Sequence, residues 1–136
     1  MKQYVLDANA VIRFLVRGPG IDRLDRLFAQ AHRGEASLAI SVINQGEALY
    51  NLAKRAGMLE AEKTLRTVAY YVEAVDVTEE QANGAAALKF IYKLGYADCF
   101  AAELAMRTGA TLVTADPDFA KLGKKLKVLA LPRHSA

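Results

Sequence analysis

Short, continuously apolar runs alternate along this chain with segments of helical length and periodicity, and few folds accept that alternation. Strand-length runs are Tyr4-Val5-Leu6, Leu38-Ala39-Ile40, Val75-Asp76-Val77, Thr111-Leu112-Val113-Thr114 and Val128-Leu129-Ala130. Between them the periodicity predicts helices over Ala10 to Val16, Ile21 to His32, and from an N-cap at Ser41 through Ala56. Further helices are predicted from Leu59 to Tyr71, from Thr78 to near Gly95, from Ala97 to Gly109 and, briefly, from Asp116 to Leu122. The breaker Gly18-Pro19-Gly20 separates the first two helices. Strands that are apolar on both faces need helices on both faces, joined by right-handed crossovers. The expected class is therefore α/β: a three-layer α/β/α domain around a central, mainly parallel, five-stranded sheet.

Nothing in the sequence divides it. The 136 residues contain no linker, repeat or low-complexity stretch, and residues 1–136 read as one domain. Hydrophobic residues make up 53% and charged residues 24%, a balance that excludes a disordered chain. No apolar run approaches the roughly 20 residues of a membrane span, and Asp7 comes too early for the apolar core of a signal peptide. The expectation is a cytoplasmic protein without a membrane partner. One cysteine, Cys99, excludes an internal disulfide and a thiolate zinc site, and it reads as a small core residue. His32 reads as a helix C-terminal group and His134 as part of a frayed tail, so no imidazole centre is expected.

The acids are more informative. In open α/β sheets, ligands bind outside the carboxyl ends of the strands. Asp7 follows the first strand directly, Asp116 follows the fourth, and Asp98 opens the helix that feeds the fourth. Glu47 lies in the second turn of the helix leaving the second strand. Each has an ordinary alternative. Asp7 could cap a helix, and Asp116 before Pro117 has the form of an N-cap with proline at the first helical position. Asp98 could be a first-turn acid, although Ala97 to Met106 holds only one other polar residue, Glu103. Glu47 shares a helical stripe with Ile43, Gly46 and Tyr50, so it is expected to interrupt an apolar face where Asn44 or Gln45 would be cheaper.

An inward acid needs a partner. No cation shares the Glu47 stripe before Lys54, so an ion held jointly by the acids is the economical one. An all-oxygen set suits Mg²⁺ or Mn²⁺ rather than zinc. No phosphate-binding glycine loop and no Ser-His-Asp arrangement is present. A carboxylate metal site without a nucleotide loop points to hydrolysis of phosphodiesters, and nothing in the carboxylates selects RNA over DNA.

At these residues the chain resembles the PIN-domain ribonucleases, and among them the VapC-type toxins of toxin–antitoxin modules. The resemblance runs from Tyr4 to about Val128. It is carried by Val5-Leu6-Asp7-Ala8-Asn9, by the lone Glu47 in Ser41-Val42-Ile43-Asn44-Gln45-Gly46-Glu47-Ala48, by Tyr96-Ala97-Asp98-Cys99-Phe100-Ala101-Ala102, and by Thr114-Ala115-Asp116-Pro117-Asp118-Phe119. It implies that Asp7, Glu47, Asp98 and Asp116 are catalytic and hold Mg²⁺ or Mn²⁺, with Asn9 and Thr114 orienting them. Asn9 is one of the less usual residues at its position, and Pro117 bears on whether Asp116 or Asp118 faces the metal.

The resemblance further implies single-stranded or loop RNA as substrate, cut to leave a 5′-phosphate and a 3′-hydroxyl. Arg13, Arg17, Lys124 and Lys125 are the candidates for RNA phosphates. A homodimer is typical of the family, with the region from Met58 to Tyr71 at its interface. The other expected partner is a VapB-like antitoxin covering the acidic site. Two rival readings stand beside this one. In a phosphatase-like domain Asp7 would be a covalent nucleophile, but the second acid such enzymes carry two residues on is replaced here by Asn9. A non-catalytic scaffold would bind RNA or a partner only.

Overall fold

The computed structural model describes residues 1–133; His134 lies outside them. Five strands form one sheet: β1 (Lys2–Leu6), β2 (Ala36–Ser41), β3 (Val72–Val75), β4 (Thr111–Thr114) and β5 (Val128–Ala130). Their order is β3-β2-β1-β4-β5, and all four pairings are parallel. Six α-helices connect them: α1 (Ala8–Val16), α2 (Ile21–His32), α3 (Val42–Ala56), α4 (Met58–Arg66), α5 (Glu79–Tyr92) and α6 (Tyr96–Thr108). A 3-10 helix, Pro117–Lys125, precedes β5. The three-layer α/β/α arrangement expected from the alternation is present. No helix among the described residues is long and apolar enough to cross a membrane.

Successive residues of a strand point to opposite faces, and each face feeds its own core. Leu6 and Val113 join Val11, Leu24, Phe28, Ile40, Leu52 and Leu65 on the side of α1 to α4. Val5 and Leu112 join Cys99, Phe100, Leu104, Phe119 and Leu122 on the side of α6 and the 3-10 helix. Cys99 is fully buried, as a small core residue should be.

The helix signals hold at several ends. Ser41 Oγ accepts from the Ile43 amide at 3.2 Å. Thr78 caps α5 reciprocally with Gln81, each side chain accepting the other's amide. The third strand is displaced from its expected place. It occupies Val72–Val75 rather than Val75 to Val77, because α4 ends at Arg66 and a turn carries the chain to Tyr71. As an edge strand it buries Val72 and exposes Glu73, which breaks the continuous apolar run that marks an inner strand. His32 ends α2, and its Nδ1 lies 2.9 Å from the Tyr71 hydroxyl, so it also ties that turn to α2.

Candidate active site

The parallel strands all end at one edge of the sheet, and four acids arrive there by different routes. Leu6 ends β1 and Asp7 follows; Thr114 ends β4 and Asp116 follows two residues on. Glu47 comes from α3, which leaves β2, and Asp98 from the first turn of α6. All four line one cavity of about 700 Å³.

Asp7 is the most constrained. Its Oδ1 accepts from the Ala10 amide at 2.8 Å, capping α1, while Oδ2 accepts from the Thr114 hydroxyl at 2.5 Å. The Thr114 hydroxyl in turn accepts from the Asp116 amide at 3.0 Å. Buried Thr114 thus couples the first acid to the backbone of the last. Asp116 Oδ1 accepts from the Asp118 amide at 2.9 Å and caps the 3-10 helix. The capping alternative is realised for both residues, and each still faces the cavity. One oxygen caps; the carboxyl as a whole remains in the shared field.

That field raises two of the carboxyls. The Asp7 carboxyl is pushed up from 3.8 to about 6 mainly by burial. Its bonds from Thr114 and Ala10 pull the other way, and the charges of Glu47 and Asp116 add to the rise. Asp98 is also pushed up to about 6, by burial first and then by Asp116, Asp7, Glu47 and Asp118. Asp98 makes no capping hydrogen bond among the described residues, so the helix end does not account for it.

Glu47 reaches the site, though not for the expected reason. Ile43 and Tyr50 are 38% and 61% exposed, so its stripe is not a buried face. The inward face of α3 is Asn44, Ala48 and Leu52, and Glu47 sits half-buried at the boundary between the two. Asn44, not Glu47, is the polar residue placed inside. Asn9 lines the cavity but is exposed, and no hydrogen bond joins it to a carboxylate among the described residues. Asp118 is exposed and lies off the cavity wall, contributing through its charge on Asp98.

Of the four basic residues expected near phosphate, only Arg13 lines the cavity. Its guanidinium donates to the carbonyls of Pro19, Pro132 and Arg133, so it clamps the C-terminal segment over α1. Arg17 pairs with Asp25 at 2.7 Å away from the acids. Lys124 and Lys125 also lie off the cavity, and Lys125 Nζ donates to the Tyr92 hydroxyl at 3.1 Å. The other cations on the wall are Lys54, which the sequence placed on the Glu47 stripe but not in the site, and Arg55 and Arg133, which it did not single out. Lys54 and Arg55 lie two turns beyond Glu47 on the same side of α3, and that spacing was the available signal. Arg133 had none, since it is brought back by tertiary contacts, among them the Arg13 clamp and the Leu131 amide's bond to the Thr114 carbonyl.

The donor set is all oxygen, which fits Mg²⁺ or Mn²⁺. Among the described residues, no three acids are grouped closely enough to enclose an ion. An open set suits a cation that keeps several waters and takes only one or two carboxylates.

A family model for the PIN domain matches residues 4–125. The chain belongs to the PIN-domain family. No curated protein matches it significantly by sequence. Solved structures similar to this PIN domain include VapBC2 from Rickettsia felis bound to a promoter DNA fragment. That match has 21% identity, a TM-score of 0.76, and covers 95% of this chain and 98% of the other. DNA-bound VapBC from Salmonella typhimurium matches at 19% identity and TM-score 0.76, covering 96% and 98%. VapC20 from Mycobacterium tuberculosis, a sarcin–ricin-loop-cleaving toxin, matches at 18% identity and TM-score 0.69, covering 88% and 95%. At these identities the likeness is one of fold.

Proposed function

We propose that this PIN domain is a Mg²⁺- or Mn²⁺-dependent endoribonuclease, the toxin of a toxin–antitoxin pair. The observation that carries the reading is the convergence of Asp7, Glu47, Asp98 and Asp116 on one cavity. Two of them, Asp7 and Asp98, are driven to about 6 by burial first and then by neighbouring acids, which is costly unless a cation answers it. A divalent ion bound there lowers the pKa of water and neutralises charge developing on a phosphodiester.

The chain's own groups do the rest. Thr114 holds Asp7 in one rotamer through Oδ2, leaving little for a bound ion to reorganise. Asp98 and Glu47 supply further carboxylates to the same cavity, where they would help hold the ion and take up protons. Lys54, Arg55 and Arg133 stand on the same wall as counter-charges to a polyanionic strand, which the acids alone would repel. RNA rather than DNA is supported by the fold of the VapC toxin described as cleaving the sarcin–ricin loop. An antitoxin partner is supported by the VapBC complexes of the same fold. Met58, Leu59 and Tyr70 are 52%, 65% and 87% exposed, and that apolar surface around α4 fits a homodimer contact.

The test is induced expression of the wild type beside Glu47→Gln. Wild-type induction arrests growth with loss of intact cellular RNA, and Glu47→Gln, which keeps shape and removes charge, does neither. Growth unaffected by a soluble wild-type protein refutes the toxin role.

A further inference from the structure

We infer that Asn44 is a positioning residue, whose buried amide locks the first turn of α6 against α3 and so fixes Asp98 relative to Glu47. The inference rests on reading those acids as an ion-holding site. Asn44 is fully buried on the inward face of α3, one helical turn before Glu47. Its Nδ2 donates to the Ala97 carbonyl at 3.0 Å, bridging 53 residues of sequence to the residue just before Asp98. That single bond joins the two elements on which the two acids ride.

The bond is hard to explain as a device for stability. Ala97 lies in the first turn of α6, where α-helical geometry already supplies its carbonyl with an amide from four residues on. The Asn44 bond is therefore supernumerary. Meanwhile Asn44 Oδ1 is buried without a hydrogen-bond partner among the described residues. An unpaired buried acceptor costs more than one extra hydrogen bond returns, and the other inward residues of α3, Ala48 and Leu52, are apolar. Leucine would fill the same space without an orphaned oxygen. The acceptor at Ala97 also decides which end of the amide faces α6, so the side chain has one orientation. A polar group that costs stability while fixing the register of two packed helices is best explained by what the helices carry.

The experiment compares wild type with Asn44→Leu, alone and in a Glu47→Gln background, with three readouts on the metal-free and Mn²⁺-titrated protein. Thermal unfolding establishes that each variant folds. In Asn44→Leu the melting temperature is expected to hold or rise. Amide hydrogen exchange in the first turn of α6, including the Cys99 amide that bonds Gly95 O, is expected to quicken at least about tenfold. Mn²⁺ affinity is expected to fall about 10- to 100-fold, the usual cost of losing a group that orients ligands. In the Glu47→Gln background the same substitution is expected to change affinity far less, since the alignment it maintained no longer matters.

Unchanged exchange and unchanged affinity in a folded Asn44→Leu protein overturn the inference. So does an affinity loss that is equally large with Glu47→Gln. Asn44→Ser, smaller and accommodated without overpacking, gives the same comparison if leucine strains the site. A wild type that binds no Mn²⁺ refutes the nuclease reading instead, and the exchange measurement then decides Asn44 by itself.

Discussion

Replacing Asp7 with asparagine separates folding from function by sign. Burial and neighbouring acids raise the Asp7 carboxyl from 3.8 to about 6 in the metal-free fold. Below about pH 4 the folded and unfolded chains both hold the proton; above about 6 the fold must carry a buried charge. The contribution of Asp7 to stability is therefore lost as pH rises through that window. Each pH unit between the two values corresponds to about 1.4 kcal/mol, so the ionised carboxylate costs the metal-free fold about 3 kcal/mol at neutral pH. Asp7→Asn removes the charge and keeps an oxygen for the Ala10 amide, though it weakens the arrangement with Thr114. The expected net gain is about 1–3 kcal/mol near pH 7.5. Urea unfolding with chelator present, at pH 7.5 and near pH 4, reads it directly. The gain should shrink toward zero at the lower pH. A variant no more stable than wild type at pH 7.5, or equally stabilised at both, would refute the reasoning.

Metal affinity should follow the same carboxyls. Because protons and cations compete for Asp7 and Asp98, Mn²⁺ binding should strengthen as pH rises through about 6 and level off above 7; calorimetric titration at several pH values checks this. Thr114→Val keeps the shape but strips Asp7 Oδ2 of its donor, so it should destabilise the fold by about 1–3 kcal/mol at neutral pH and raise the Asp7 titration further. Carboxyl NMR titration and urea unfolding measure both effects. Arg13→Leu should release the segment ending at Arg133, costing about 1 kcal/mol and exposing it to limited proteolysis, with the acid cavity otherwise intact.

The division between what the sequence shows and what it hides follows the length of the signal. Inner strands such as Leu112-Val113 are read as apolar runs because both faces are covered, and each caps a separate core. The edge strand β3 loses one neighbour and tolerates Glu73, so its apolar run breaks up and the strand starts three residues before its expected place. Asp7, Asp98 and Asp116 are legible because topology alone puts strand exits and one helix start at the same edge. Glu47 was found by a stripe that proves to be exposed; its place follows from lying at the boundary of that stripe, which a helical wheel cannot distinguish from a core position. Arg13 looked like a phosphate ligand because it is basic and near the first acid. Two of its three carbonyl partners lie about 120 residues away, a tertiary contact with no local trace. Asn44 was passed over for the same reason, since its meaning depends on Ala97.

If the four acids form a cation-dependent nuclease site, RNA cleavage must depend on both the ion and the carboxylates. Purified protein freed of any bound partner is incubated with a mixed single-stranded RNA pool across a Mg²⁺ and Mn²⁺ titration, with excess chelator as control and Asp98→Asn in parallel. The account predicts cleavage that requires the ion and falls by at least about 100-fold in the folded variant. Cleavage that survives chelation, or proceeds at the wild-type rate in Asp98→Asn, contradicts it.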